Sequence, residues 1–326
     1  MRRVIRWAAR LGAGLSLLIL AVWLLFPPQG VDTRSADVAS PLPDDLDAWL
    51  ADSEARFPGI LPGTARRIVW AGEAGKRTPL AVVYLHGFSA SLHEIRPVPD
   101  EVARLLGANL YFVRLTGHGQ DGEALAAATA EDWLADTAQA MAIARRLGDR
   151  VVVIGTSTGA TLASFAAVDP EMSKGLAGVV MISPNFGLRP FAAHLLDLPL
   201  APVWGPWVAG AERSFVPVNA DHARYWTLRY PTAALFPMAA LVRQARTLDL
   251  AAATMPLLLI HAAADQVTDP ARLQAVADGW GGTVSREERE MTAGDDPYAH
   301  VIAGDILSPG QTEAVIARIV DWAQGL

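Results

Sequence analysis

Cysteine is absent from the 326 residues. No disulfide, thiolate zinc site, cysteine nucleophile or lipidated cysteine is therefore available, and the redox compartment stays open. Positive charge is also in short supply: 27 Lys and Arg face 34 Asp and Glu, a formal net charge of −7. That balance argues against nucleic acid as a partner. No metal motif such as H-E-x-x-H occurs, and no cofactor is implied. No Tyr-x-x-x-Lys occurs either, which removes one support for a nicotinamide-dependent reading.

Charge is missing locally as well. Arg2, Arg3, Arg6 and Arg10 precede Leu11 to Phe26, sixteen residues without a charge, or twenty residues counted from Trp7. Twenty helical residues span about 30 Å, one bilayer core. Arg10 would snorkel to the interface. The arginines all precede the run, so the N-terminus should stay in the cytoplasm and the rest should cross. Residues 1–31 thus read as a membrane anchor, a single N-terminal helix. The domain that follows is expected on the non-cytoplasmic side, which is the periplasm in a Gram-negative bacterium. A cleaved signal peptide is the competing reading, but no small-x-small site follows; Pro27-Pro28-Gln29-Gly30 comes instead.

The length suits one large α/β domain with an insertion, or two small domains, and apolar residues make up 52%. Residues 32–65 read as a linker that becomes a short helix with Asp44 to Leu50 as its start, and Pro27 to about Pro43 is expected to be an exposed tether. Strands are expected at Arg67–Trp70, Ala81–Leu85, Asn109–Leu115, Arg150–Ile154, Gly178–Ser183, Pro256–His261 and, more polar and edge-like, Thr283–Glu290. Helices are expected near Asp100–Leu106, at Glu131–Leu147 with Thr129 as a cap, after Gly159, and at Gln311–Gln324. This alternation predicts a largely parallel sheet with helices on both faces. From Pro184 to Met255 the alternation stops for 72 residues, far more than a crossover needs. The expectation is a core of residues 66–183 and 256–326 and an inserted helical cap at 184–255. Helical pieces are expected in the cap at Phe191–Leu198 and Pro237–Leu248. Trp204, Trp207 and Trp226 form its own small core or line an apolar pocket for substrate beneath it.

Gly155-Thr156-Ser157-Thr158-Gly159 lies between a buried strand and a helix. A G-x-S-x-G in that setting is a nucleophile elbow, with glycine where the tight turn leaves no room for a side chain. The serine stands at the helix N-terminus, where the dipole and free N–H groups favour developing negative charge. A second glycine loop, His86-Gly87-Phe88-Ser89, follows another strand. Gly117-His118-Gly119-Gln120-Asp121-Gly122 matches the G-x-G-x-x-G dinucleotide fingerprint, but the next strand ends at Ile154 and runs into the elbow rather than to the acidic residue a ribose requires.

Serine chemistry needs a base to take the hydroxyl proton and a carboxylate to orient the base. Ser157, Asp265 and His300 stand in the chain order serine, acid, histidine. Asp265 follows a strand end, and His300 lies between the last strand and the last helix. Asp269, Asp295 and Asp296 are the fallback acids, and His118 and His261 the fallback bases. From about residue 66 to the C-terminus the chain resembles the α/β-hydrolase superfamily, in particular the bacterial carboxylesterases and monoacylglycerol lipases with His-Gly-Phe before the first sheet helix. The resemblance implies Ser157 as nucleophile, His300 as base and then acid, Asp265 as its orienter, and an oxyanion hole from the N–H groups of Phe88 and Thr158. It also implies hydrolysis of carboxylic esters but says little about substrate; the apolar cap favours a small-molecule or lipid ester with a fatty-acyl chain, such as a monoglyceride or lysophospholipid. Thioesters, amides and lactones use the same machinery, and a non-catalytic binding protein of this fold is the reading from another class. The chain departs from the family's usual pattern at Thr158, where Met or Gln is usual, and at Ala160, where glycine is common.

Overall fold

The computed structural model describes residues 2–34 and 42–326. Residues 35–41 of the expected tether lie outside the described residues. Helix α1 (Arg2–Leu25) opens the chain. Among the described residues no helix is long and apolar enough to cross a membrane. This overturns the expected anchor, and with it membrane attachment through the N-terminal helix and placement of the domain on the non-cytoplasmic side. The physical reason lies in where the charges fall along the helix, since the twenty-residue count from Trp7 includes Arg10. Its four arginines fall within its first turns, leaving Leu11 to Leu25, fifteen residues, as the uncharged part. At 1.5 Å per residue that is about 22 Å, short of a bilayer core of about 30 Å.

The chain then turns back onto the domain. Arg243 donates to the Gln29 carbonyl oxygen, Val31 packs against the core, and the Asp32 N–H donates to Glu131 Oε1 at 3.1 Å. Gln29 to Asp32 is therefore held, not free. Helix α2 (Leu46–Glu54) is built in as well: Asp45 caps it by accepting from the Ala48 N–H, and Leu46 and Leu50 are buried. At its end Glu54 accepts from Arg114 through both oxygens, at 2.7 and 2.8 Å, and pairs with Arg66 at 2.8 Å. Burial would raise the Glu54 carboxyl, but the two guanidiniums hold it below its ordinary value.

Strands β1 (Arg67–Val69), β2 (Thr78–Leu85), β3 (Asn109–Phe112), β4 (Gly148–Thr156) and β5 (Leu176–Ile182) are followed by a short antiparallel pair, β6 (Glu212–Ser214) with β7 (Arg229–Pro231), and then by β8 (Leu257–His261) and β9 (Val284–Glu288). The main sheet has seven strands in the order β1-β3-β2-β4-β5-β8-β9, with β1 antiparallel and the rest parallel. Helices α3 (Val98–Leu106), α4 (Gly122–Ala127), α5 (Ala130–Leu147), α6 (Thr158–Val168), α7 (Ala201–Ala209), α8 (Ala220–Tyr225), α9 (Leu235–Ala245), α10 (Pro270–Gly279) and α11 (Pro309–Gln324) complete the order. In β2, Leu80, Val82 and Tyr84 enter the core beneath α3 and α11, while Ala81, Val83 and Leu85 enter the core shared with α5 and α6. Both faces are covered, which is why the strands read as continuous apolar runs without alternation.

The start of α5 shows how local chemistry sets an element. Thr129 Oγ1 accepts from the Asp132 N–H at 3.1 Å while Asp132 Oδ2 accepts from the Thr129 N–H at 2.9 Å, a reciprocal capping box. Between β5 and β8 the chain forms a 3₁₀ turn (Phe191–Asp197), α7, the β6–β7 pair around α8, and α9. Helix α9 sends Met238, Leu241, Val242 and Ala245 into the main core. The earlier part of that segment stands over the carboxyl ends of the strands, where sites in open parallel sheets collect.

Candidate active site

Strand β4 ends at Thr156, α6 begins at Thr158, and Ser157 makes the turn with φ +51° and ψ −114°. A non-glycine residue rarely adopts such angles, and the turn is held by the Ser157 N–H donating to the Ile182 carbonyl at 2.9 Å. A Cβ on Gly159 would overlap the Leu85 carbonyl, and one on Gly155 would sit 2.6 Å from the Gly159 carbonyl oxygen. Both glycines of the motif are thus required by packing, as the turn predicts.

His300 reaches the elbow from the loop between β9 and α11. Its Nε2 lies 3.0 Å from Ser157 Oγ and its Nδ1 lies 2.9 Å from Asp265 Oδ2. The structure therefore brings together the three residues singled out by chain order. With Nδ1–H donating to Asp265, Nε2 is left to accept the serine proton. Asp265 is itself fixed: Oδ1 accepts from the N–H groups of Val267 at 2.7 Å and Thr268 at 3.0 Å, and Oδ2 accepts from Thr268 Oγ1 at 2.7 Å. Burial opposes its charge, but His300 and Thr268 outweigh burial and hold the carboxyl below its ordinary value. Burial likewise opposes charge on His300, yet the hydrogen bond and negative charge of Asp265 raise its pKa above the ordinary imidazole value.

The fallback residues have other work. Asp296 accepts from the N–H groups of His300 at 3.0 Å and Val301 at 2.9 Å, so it shapes the loop that carries the histidine. Asp295 accepts from Thr292 and Gln311, and Asp269 caps α10 through the Ala271 N–H. His118 is fully buried, which pushes its pKa well below the ordinary value, and it packs against His86 and Phe88. His261 ends β8 and is half-buried. The fingerprint glycines are filled by protein: a Cβ at Gly117 would meet the Ala124 carbonyl oxygen at 2.5 Å, one at Gly119 would meet Thr64 Oγ1 at 2.5 Å, and one at Gly122 would overlap Arg229. They are packing glycines with no room for a pyrophosphate. Among the described residues no group of three or more His, Asp or Glu could hold a metal ion.

Phe88 follows Gly87 in the loop after β2, and Thr158 follows Ser157. Among the described residues neither N–H donates to an acceptor in the chain; Phe88 lines the cavity at Ser157, and Thr158 is fully buried beside the serine. Sequence reasoning missed Glu94. It is 3% exposed, lines that cavity together with Ser157 and His300, and accepts from the Gly87 N–H at 2.7 Å and Tyr84 Oη at 2.9 Å. Burial pushes its carboxyl up to about 7, against those hydrogen bonds and the His300 charge. No motif marks it, because its partners lie on a neighbouring strand and at the far end of its own loop.

The cavity at Ser157 has a volume of about 330 Å³ and apolar walls that include Phe88, Phe215, Trp226 and Met238. A second cavity of about 430 Å³ lies within the inserted segment, walled by Trp204, Val208 and Phe236 among others. Leu188, Tyr230 and Leu235 line both. Of the three tryptophans singled out, Trp226 thus faces the catalytic cavity and Trp204 the second one. Trp207 is 90% exposed and lines neither; helix α7 is apolar on every side, so the pattern could not show which face turns inward.

A profile of the Alpha/beta hydrolase family matches residues 82–308. A thermostable monoacylglycerol lipase of Bacillus sp. (strain H-257) is 25% identical over 231 residues, covering 71% of this chain and 86% of the lipase. A solved structure from the metagenome-derived lipolytic enzymes LipS and LipT superposes with a TM-score of 0.63 at 22% identity, over 82% of this chain and 100% of that one. A soluble variant of the monoglyceride lipase from Saccharomyces cerevisiae gives 0.57 at 11% identity, over 80% of this chain and 91% of that one. The two structural likenesses show the fold.

Proposed function

The chain belongs to the alpha/beta hydrolase family, and on that premise we propose that it hydrolyses fatty-acyl esters through an acyl-enzyme on Ser157. It is a carboxylic ester hydrolase. The observation that carries the mechanism is Ser157 Oγ at 3.0 Å from His300 Nε2, at the base of an apolar cavity. His300 Nε2 takes the Ser157 proton as Oγ attacks the ester carbonyl carbon. The carbonyl electron pair moves to oxygen, and the N–H groups of Phe88 and Thr158 stabilise that oxyanion, a donor arrangement worth about 3 kcal/mol per hydrogen bond. The intermediate collapses, the carbon–oxygen bond to the alcohol breaks, and His300 returns its proton to the departing alkoxide. Water, deprotonated by the same nitrogen, then attacks the acyl carbon; the carbon–Oγ bond breaks, and His300 returns the proton to Ser157 Oγ as the acid leaves. Asp265 holds the tautomer and stabilises the imidazolium throughout.

The apolar walls favour an alkyl chain, each buried methylene contributing about 0.8 kcal/mol. Similarity to a monoacylglycerol lipase supports a monoglyceride, and a lysophospholipid presents the same single-chain acyl ester. The test is labelling by a fluorophosphonate together with a panel of p-nitrophenyl esters, monoglycerides and lysophospholipids of graded chain length. Labelling confined to Ser157, abolished in Ser157→Ala, with turnover highest on single-chain acyl esters, is the expected result. Equal labelling of the Ser157→Ala variant would refute the acyl-enzyme, and a preference for acetyl esters over every longer chain would refute the substrate class.

A further inference from the structure

Two buried polar side chains connect the loop after β2 to the residue before the elbow serine. Glu94 Oε2 accepts from the Gly87 N–H at 2.7 Å. The same oxygen accepts from Tyr84 Oη at 2.9 Å, and Tyr84 Oη is also hydrogen-bonded to Thr156 Oγ1 at 3.2 Å. Glu94, Tyr84 and Thr156 are 3%, 0% and 0% exposed. Gly87 adjoins Phe88, and Thr156 adjoins Ser157. The chain of contacts thus joins the two backbone segments that supply the proposed oxyanion donors, Phe88 N–H and Thr158 N–H.

We propose that Glu94 is a positioning residue for the oxyanion hole, its Oε2 clamping the Gly87 N–H so that the next N–H, that of Phe88, faces the cavity at a fixed distance from the elbow. The inference rests on Ser157 being the acylated residue. Three observations support the clamp. First, the carboxyl sits directly against the loop: a Cβ on Gly87 would lie 2.5 Å from Glu94 Oε1. Second, no Lys or Arg pairs with Glu94 among the described residues, so it is not half of a structural ion pair. Third, one oxygen does all the accepting. Burial pushes the carboxyl up to about 7, yet protonation leaves the clamp intact, because the proton can sit on Oε1 while Oε2 still accepts. A glutamine can do the same with its amide oxygen. A leucine cannot.

The distinction gives the experiment. Steady-state kinetics on a p-nitrophenyl ester and affinity for a trifluoromethyl ketone, which forms a tetrahedral adduct, are measured for the wild-type chain, Glu94→Leu, Glu94→Gln and Tyr84→Phe. A 1 Å misplacement of a catalytic donor costs about a hundredfold. Glu94→Leu should therefore lose about a hundredfold in kcat with KM within threefold, and trifluoromethyl ketone affinity should fall in parallel. Glu94→Gln should recover at least tenfold of that loss. Tyr84→Phe, which keeps Gly87 clamped but severs the link to Thr156, should lose about tenfold. If Glu94→Leu fails to fold, the other two variants still decide: a glutamine variant that loses a hundredfold overturns the clamp, because the charge and not the acceptor would be the active feature. A folded Glu94→Leu variant with wild-type kcat, or one that raises KM alone, also overturns it. Failure of the underlying reading is separate and visible: a wild-type chain not labelled at Ser157 by fluorophosphonate refutes that reading, whatever the Glu94 variants do.

Discussion

Replacing Asp265 with asparagine is expected to silence the enzyme more completely than the loss of one charge suggests, and the reason is the orientation of the side chain. Oδ1 accepts two backbone N–H groups, from Val267 and Thr268. An amide NH₂ cannot face two donors, so the asparagine carbonyl must take the Oδ1 position and its Nδ2 the Oδ2 position. Flipping the amide would forfeit two hydrogen bonds, each with a net contribution of about 1 kcal/mol, and would set donor against donor. Nδ2–H then points at His300 Nδ1, 2.9 Å away in the parent. The imidazole must accept there, so its proton moves to Nε2, the atom that should take the Ser157 proton. A locked wrong tautomer in this arrangement lowers kcat by about 10⁴, or about 5.5 kcal/mol of transition-state stabilisation. Asp265→Ala carries no such donor and leaves the tautomer free, so it should be no worse than the asparagine variant although it removes more atoms. The assay is kcat on p-nitrophenyl butyrate, with fluorophosphonate labelling rate as an independent readout of nucleophilicity. An Asp265→Asn variant with native circular dichroism and activity within tenfold of wild type would refute the tautomer argument.

The pH dependence follows from His300, which must be neutral to act as base. Because Asp265 raises its pKa above the ordinary 6.5, kcat/KM should rise with a midpoint above that value and fall away on acidification; a midpoint well below it, with acylation shown to limit the rate, would contradict the pairing. The same raised pKa means that the protonated pair contributes stability below about pH 6.5 that is lost as pH rises through the folded value. Glu54→Ala should destabilise by about 3–5 kcal/mol in urea unfolding, since it strands the buried Arg114; a change under 1 kcal/mol would show that water reaches the guanidinium. Trp204→Ala should shift the ratio of long-chain to butyryl ester turnover by about tenfold, while Trp207→Ala, at an exposed position, should leave that ratio unchanged; comparing the two by kcat/KM on graded esters decides whether the second cavity takes substrate.

The site was legible where chemistry and backbone constraint coincide along the chain. Gly155 and Gly159 bracket a serine because the turn excludes a Cβ on either side, and that pattern is local. His300 and Asp265 were found because strand ends and chain order restrict where an acid and a base can fall. Glu94 was not, because its role depends on Tyr84, which is near only once β2 is folded against the loop. Asp269-Pro270 was read as a fallback acid, although an aspartate before a proline is also a helix start, and α10 begins there. The N-terminal run misled because the twenty-residue count from Trp7 takes in Arg10, and the uncharged part of the helix, Leu11 to Leu25, is only fifteen residues long.

The five residues given roles in the proposed mechanism, Phe88, Ser157, Thr158, Asp265 and His300, come after β2, β4, β8 and β9, and none lies in the long segment between β5 and β8. A randomised library confined to residues 186–234 would therefore sample substrate range while leaving the bond-making atoms in place. One position in that library should be restricted. The Thr227 N–H donates to the Ser89 carbonyl at 2.8 Å, one residue beyond Phe88. Nineteen amino acids keep that donor and proline removes it, so a selection for retained turnover should return every residue at 227 more readily than proline.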